Sequence, residues 1–256
     1  MMCLNNEHYT MTLGIKIHEA QVTILRELLF KPEAGFADIQ KLAGLDSSHF
    51  TFHISRLVDQ GLIEKTANNN YRLSAKGKEY ANTLDTDSNT VERQPKISVI
   101  IIGWRDRKTI QKSRESEPEI EFLVQQRLKN PYYGYWGRLG GKIRWGETVL
   151  EAAARELLEE TGLSAELEYK GLYHKMDYKM NTTEMLEDKF FLLVKACNFT
   201  GKLIEDFEGG KNAWLSADEL AKQDKVFQGM AETYESASQN GYSFTEKQVY
   251  YDLSDY

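Results

Sequence analysis

Gly141-Lys-Ile-Arg-Trp-Gly-Glu147-Thr-Val-Leu-Glu-Ala-Ala-Ala-Arg155-Glu156-Leu-Leu-Glu159-Glu160-Thr-Gly162-Leu163 is the densest chemical pattern in the chain. It reads as a glycine-bearing loop, a helix opening near Glu147 or Thr148, and a stop at Gly162. No Asn, Ser or Asp stands at the start, but Glu147 puts negative charge where the first turn of a helix favours it. Glycine just past the last helical residue accepts the left-handed conformation that closes a helix.

Within that helix Glu156, Glu159 and Glu160 stand at i, i+3 and i+4 and so share one arc. Leu150, Ala153, Ala154, Leu157 and Leu158 are expected on the opposite side, packed on a sheet, and Ala152 keeps the acidic side uncrowded. Three like charges at this spacing repel each other. A cation relieves that repulsion, and clustered carboxylates are the hard oxygen ligands preferred by Mg²⁺ or Mn²⁺. Taken alone, such a segment reads more readily as a solvated acidic face.

The full run fits G-x5-E-x7-R-E-U-x-E-E-x-G-U, with U a bulky aliphatic residue, at every fixed position. Seven fixed residues, each near ~7% of average composition, match by chance at one start with a probability of about 10⁻⁸. The pattern resembles the Nudix box, and the resemblance to Nudix hydrolases runs roughly from Pro95 to the mid-220s. It implies an α+β, α-β-α Nudix fold, a mixed sheet sandwiched between helices.

The totals bound the rest. With 256 residues, two domains of ordinary size are expected, and 41% hydrophobic residues suffice for packed cores. A net charge of −7 argues against binding polyanions by bulk electrostatics. Cys3 and Cys197 have no metal or redox spacing and suggest a reducing compartment. The start lacks the basic and apolar regions of a signal peptide, and the apolar run 99–102 is far too short to span a membrane. A cytoplasmic protein without membrane contact is expected.

Residues 17–30 carry apolar side chains at helical spacing, and 36–43 form a short second helix closed by Gly44. Asp46 or Ser47 caps a third helix over 48–60. Residues 62–67 and 71–73 read as strands around Asn68-Asn69-Asn70, and 74–84 as a closing helix. This order resembles winged helix-turn-helix regulators, with matching pieces at 36–44, 53–63 and 71–78. In the third helix Phe50, Ile54, Leu57 and Val58 are expected in the core. His49, His53, Arg56 and Gln60 form a polar stripe. The resemblance implies that this stripe meets double-stranded DNA, with Lys65 and Arg72 on the wing at phosphates. Against it, residues 1–85 hold nine Lys or Arg and ten Asp or Glu, a net of −1. A dimerisation or partner module is the competing reading. His49 and His53 have zinc-like spacing but no third ligand.

The expected division is a winged helix-turn-helix-like domain at 1–85, a linker at 86–95 and a Nudix domain at 96–256. In the latter, 96–105 reads as a buried strand and 106–118 as a charged loop. Residues 120–128 read as a strand with Ile120, Phe122 and Val124 inward. Residues 166–175 and 189–199 are further strands, 202–214 a loop, 216–220 a helix start with a capping box, and 225–239 a helix before an aromatic tail.

Nudix proteins usually carry Trp-x-x-Pro-Gly-Gly before the box; here Trp136-Gly-Arg-Leu139-Gly140-Gly141 puts leucine in place of proline. The resemblance implies Mg²⁺ or Mn²⁺ held by Glu156, Glu159, Glu160 and the Gly140 carbonyl. It places Glu147 and Arg155 as orienting groups, and Gly141, Arg138 and Tyr135 at the substrate. Glu208, six residues before Trp214, is chosen as further ligand or general base, ahead of Glu205 and Glu184. Tyr132, Tyr133 and Tyr135 read more readily as packing than as base stacking. The implied activity is hydrolysis of a nucleoside diphosphate linked to another moiety, by a homodimer. The alternative is a transcriptional regulator whose Nudix domain senses a nucleotide metabolite.

Overall fold

The computed structural model describes residues 10–12, 15–85, 90–91, 94–107, 119–254 and 256. The chain divides into two compact units, Met1–Arg93 and Gln94–Tyr256. Residues 108–118 of the charged loop, and 86–89 and 92–93 of the linker, lie outside the described residues.

The first unit opens with the antiparallel pair β1 (Thr10–Thr12) and β2 (Ile15–Ile17). Three helices follow: α1 (Glu19–Phe30), α2 (Phe36–Ala43) and α3 (Ser47–Asp59). Next come the hairpin β3 (Ile63–Lys65) and β4 (Tyr71–Leu73), helix α4 (Ala75–Ala81), and the pair β5 (Leu84–Asp85) and β6 (Thr90–Val91). Helix α1 starts at Glu19 rather than residue 17, because His18 caps it and Ile17 ends a strand. Leu25, Phe50, Leu57, Leu62 and Tyr80 are sealed in one core.

Helix α3 is rotated by about one position from its expected orientation. Phe50, His53, Ile54 and Leu57 are its buried residues, an i, i+3, i+4, i+7 arc. Val58 is therefore 40% exposed rather than core. His53 leaves the polar stripe: it is buried and stacks on His18, with ring centroids 4.6 Å apart. Burial pushes its imidazole below the usual range, aided by the nearby His18 and His49.

The second unit contains β7 (Lys96–Asp106), β8 (Ile120–Arg127), β9 (Trp136–Gly137), β10 (Leu139–Lys142) and helix α5 (Val149–Thr161). The long hairpin β11 (Leu163–Lys179) and β12 (Met185–Gly201) follows, then β13 (Asp206–Phe207) and β14 (Gly210–Ser216). Helices α6 (Ala217–Ala221) and α7 (Met230–Ser238) precede the last strand, β15 (Ser243–Tyr251).

The strands form one mixed nine-stranded sheet in the order β13-β14-β8-β7-β12-β11-β15, with β10 on β7 and β9 on β8. The run Val99 to Ile102 is continuously apolar because both faces of β7 are covered. Val99 and Ile101 pack with Ala153 and Leu157 of α5, while Ile100 and Ile102 pack with Ala237 of α7. The same two-sided burial corrects the expected alternation of β8, where Leu123 is buried beside Val124. Glu121 is buried too, held by Arg105 at 2.8 Å and Arg107 at 3.2 Å.

Strand β7 pairs with β8 only over Trp104–Asp106, and its earlier residues pair instead with β10, Gly140 opposite Ile100. The two long strands thus part, and β9–β10 enter along the gap. That split positions the site. Two further expectations are corrected nearby. Within the expected loop over 202–214, residues from 206 onward form the β13–β14 hairpin, and only 202–205 run irregular. The last helix begins at Met230, after Gly229 at φ 93°, while residues 225–227 run extended against Trp136. The aromatic tail is β15, parallel to β11. Among the described residues, no helix is long and apolar enough to cross a membrane.

Candidate active site

Helix α5 is capped by Thr148, whose hydroxyl accepts from the Glu151 N–H while the Glu151 carboxylate accepts from the Thr148 N–H. Glu147 therefore lies before the helix instead of in its first turn. Gly162, at φ 70°, closes it. The buried residues are Ala152, Ala153, Leu157 and Thr161, while Leu150 and Leu158 are 41% and 55% exposed. The packing arc is thus turned from the expected one, with Ala152 inside and Ala154 outside. This rotation separates the three glutamates. Glu156 and Glu160, one turn apart, flank the buried Leu157 and line a cavity with Gly140 and Gly141. Glu159 points outward, half exposed, paired to Arg144 at 3.3 Å and Arg155 at 3.4 Å.

The preceding glycines are required sterically. A side chain on Gly140 would meet the Val99 carbonyl oxygen at 2.3 Å, and one on Gly141 would meet the Glu156 carboxyl at 2.1 Å. Arg155 ties the loop to the helix. It forms a bidentate pair with Glu147 at 2.6 and 2.9 Å, donates to Glu156 at 2.6 Å, and donates to the Lys142 carbonyl at 3.1 Å. The Arg155 hydrogen bonds hold the Glu147 carboxyl down at about 2, and the guanidinium itself is pushed up, first by Glu147. Arg144 adds a backbone N–H to Glu147 at 2.8 Å.

Glu160 is held from the opposite strand. Gln125 donates to its carboxylate at 2.9 Å and to the Asn212 side chain at 3.2 Å, and Asn212 donates to the Glu160 carbonyl at 2.8 Å. Burial raises the Glu160 carboxyl above the usual range. Neither Gln125 nor Asn212 carries a sequence signal, because each acts through a partner that is remote in the chain.

The cavity has a volume of about 630 Å³ and is lined by seven Lys or Arg against three Glu, the reverse of the chain's acidic balance. Lys96 and Lys189 both pair with Glu187, and Lys175 bonds Asp177 at 2.7 Å and the Tyr251 hydroxyl at 2.9 Å. Burial lowers Lys175 and brings Lys189 down to about 8. Arg127 and Arg138 donate only to backbone carbonyls in the hydrogen bonds seen. These lysines come from separate strands and were not singled out in the sequence.

The NUDIX domain profile matches residues 109–237, half of the chain. The chain belongs to the Nudix family. It is 34% identical over 87 residues to an oxidized purine nucleoside triphosphate hydrolase of Danio rerio, covering 34% of this chain and 53% of that protein. It is 45% identical over 47 residues to an ADP-ribose pyrophosphatase of Methanocaldococcus jannaschii, covering 18% and 28%. The chain thus spans about half or less of these relatives. Among solved structures, a MutT protein of Bacillus halodurans is 20% identical with a TM-score of 0.46, covering 63% of this chain and 93% of that one.

The other expected Nudix site residues divide. Glu208, at the exposed tip of the β13–β14 hairpin, shares a shallow depression with Glu160 and Lys129 beside the main cavity. Glu205 and Glu184 line neither hollow. Arg138 lines the cavity, but Tyr135 does not: it is buried among Tyr132, Phe227 and Tyr251. In the first unit His49 is bound to Asp46 at 2.5 Å and Arg72 to Glu64 at 2.6 Å, while Arg56 and Lys65 are exposed.

Among the described residues, no three His, Cys, Asp or Glu converge as a finished metal site. The donors nonetheless fit a divalent cation in kind. Glu156 fills the space that Gly141 vacates, and Glu160 is a half-buried carboxylate whose charge a cation would stabilise.

Proposed function

We propose that the second unit is a Mg²⁺- or Mn²⁺-dependent pyrophosphohydrolase acting on a nucleoside diphosphate linked to another moiety. One observation carries this reading: Glu156, Glu160 and Gly140–Gly141 line one cavity together with seven Lys or Arg. A pyrophosphate needs both, cationic side chains for its outer oxygens and carboxylates to hold the cation between its phosphates. The two hydrolases with matching stretches also act on substrates that join a nucleoside to a phosphoric anhydride.

Glu156, Glu160 and the Gly140 carbonyl would hold the cation, while Glu159 is paired to Arg144 and Arg155. When bound, it supplies Lewis acidity at the phosphate and lowers the pKa of an attacking water. Arg155 fixes the Glu156 carboxylate, and Gln125 fixes that of Glu160. Glu208 stands beside Glu160 as proton acceptor from the attacking water. Lys96, Lys175 and Lys189 bind phosphate oxygens across the cavity.

The test is turnover of ADP-ribose, NADH, nucleotide sugars and nucleoside triphosphates with Mg²⁺, for the wild type and Glu160→Gln. Cleavage of at least one substrate to a nucleoside monophosphate and the phosphorylated other moiety, lost in the variant, is expected. Absence of turnover across the panel refutes the reading.

A second reading, a nucleotide-sensing transcriptional regulator, is favoured by the first unit's order of three helices, hairpin and helix. In it the domain is a winged helix-turn-helix whose exposed α3 face, with Arg56, enters the DNA major groove as a homodimer. A gel shift with the gene's own upstream DNA, lost in Arg56→Ala, supports it. Equal retention by both proteins counts against groove readout.

A further inference from the structure

Arg138 differs from every other cation of the cavity. It lies between β9 and β10, and its side chain reaches the α7 side of the sheet. There its guanidinium carbon sits 5.2 Å from the Phe122 ring centroid, and Nη2 donates to the Met230 carbonyl at 3.1 Å. Nε and Nη1 are buried and, among the described residues, have no hydrogen-bond partner. No carboxylate pairs with it among those residues.

A guanidinium has five N–H donors, and here one is taken. Whichever Nη2 hydrogen serves Met230, an edge of two parallel N–H groups remains, Nη1 with Nη2 or Nε with Nη2. Leaving such charged donors buried and unsatisfied is costly unless a ligand completes them. The Tyr173 hydroxyl is likewise buried without a partner and lines the same cavity. The lining of that cavity includes the apolar Ile100, Phe191, Phe227 and Met230 besides Gln228 and Thr233. Burial brings Arg138 down to about 10, which leaves it charged at neutral pH.

We infer that Arg138 reads the nucleobase of the substrate, and that the base is a 6-oxopurine. The apolar walls suit a planar ring better than a free phosphate, which gains nothing from apolar contact. A parallel N–H pair matches two adjacent acceptors, and O6 with N7 of guanine or hypoxanthine present such a pair. Adenine offers N7 but places an amino donor at position 6. Glu156 and Arg138 both line one cavity of about 630 Å³, within the size range of small-molecule sites. This inference rests on reading that cavity as a nucleoside diphosphate site.

The test is calorimetric binding with Mg²⁺ of hydrolysis-resistant α,β-methylene diphosphates of guanosine, inosine, adenosine and 7-deazaguanosine, with methylenediphosphonate alone as reference. The guanosine and inosine compounds are expected to bind about tenfold or more tightly than the adenosine compound, the worth of one bidentate pair. The 7-deazaguanosine compound, lacking N7, falls to the adenosine level. Arg138→Lys keeps the charge without the parallel edge. It should abolish the discrimination between the guanosine and adenosine compounds. Should the variant not fold, the comparison of guanosine with 7-deazaguanosine needs only the wild type. Equal binding of guanosine and adenosine compounds, or discrimination that survives in Arg138→Lys, overturns the base reading alone. An adenosine compound that gains tenfold from an added 3′-phosphate, with no base preference, overturns it in favour of a second anion. Failure of methylenediphosphonate itself to bind overturns the diphosphate reading as well.

Discussion

The Glu156 carboxyl occupies the space that a side chain on Gly141 would need, with a Cβ there falling 2.1 Å from it. The glycine is fixed by a side chain from the helix rather than by its own backbone conformation. Gly141→Ala is expected to displace Glu156 from Arg155 and from the cavity wall. Displacement of a positioned group by about 1 Å costs on the order of 10²-fold in rate, so kcat/KM on the substrate found in the panel should fall by about that factor. Thermal melting should move little, since the carboxylate can swing toward solvent. Activity within twofold of the wild type would show that the wall yields without consequence.

Arg155 is bonded at once to Glu147, Glu156 and the Lys142 carbonyl. Lysine keeps the charge but cannot span three acceptors from one rigid plane. Arg155→Lys should weaken Mn²⁺ binding and activity by about 10- to 100-fold, the usual cost of releasing a group that orients ligands. A Mn²⁺ titration followed by electron paramagnetic resonance reads the first effect separately from turnover. Unchanged affinity would reduce Arg155 to a structural tie.

These two residues stand in the Nudix box, where the sequence pattern was explicit. The pattern located the loop, the helix and the stop at Gly162, but not how the helix faces the sheet. Glu156, Glu159 and Glu160 share an arc in any orientation. Which of them enters the cavity depends on how Ala152, Ala153 and Leu157 seat against β7 and β10, a tertiary fact. The same limit applies to α3, where His53 replaced Val58 inside. Beyond the box, Lys96, Lys175 and Lys189 are scattered over three strands, and only the register of β7, β11 and β12 brings them together. The gap between β7 and β8 was equally hidden, because β9 and β10 are too short to announce themselves.

Lys189 supplies a pH signature with two opposite signs. Burial dominates and outweighs the nearby Asp177 carboxylate, placing the ammonium at about 8 in the folded protein against 10.5 ordinarily. Glu187, Asp177, Lys96, Lys175 and Arg127 are the charged groups around it. In the free enzyme the cation that receives phosphate is lost above about pH 8, so kcat/KM should decline by about one log unit per pH unit there. Stability moves the other way. Between about 8 and 10.5 the unfolded chain binds the proton and the folded one does not, so this group's contribution to stability increases with pH in that window. Lys189→Met should remove the alkaline limb from the kcat/KM profile. A limb that persists unchanged in Lys189→Met assigns it to another group.

Asn212 carries the last prediction. It is buried, and its amide donates to the Glu160 and Ile204 carbonyls at 2.8 Å each, while its oxygen accepts from Gln125 at 3.2 Å. Leucine has similar volume but no polar atoms, so Asn212→Leu strands two carbonyls and one amide hydrogen. Each buried group left unmatched costs roughly 1–3 kcal/mol, with water partly relieving those near the cavity. A loss of about 2–3 kcal/mol follows. At roughly 2–4 °C per kcal/mol for a unit of this size, the melting temperature should fall by about 5–10 °C. Gln125 would also lose one of its two acceptors and hold Glu160 less firmly, so kcat should drop while KM for the nucleotide stays near the wild-type value. A lowered melting temperature with kcat intact would confine Asn212 to the fold and separate the Gln125–Glu160 contact from catalysis.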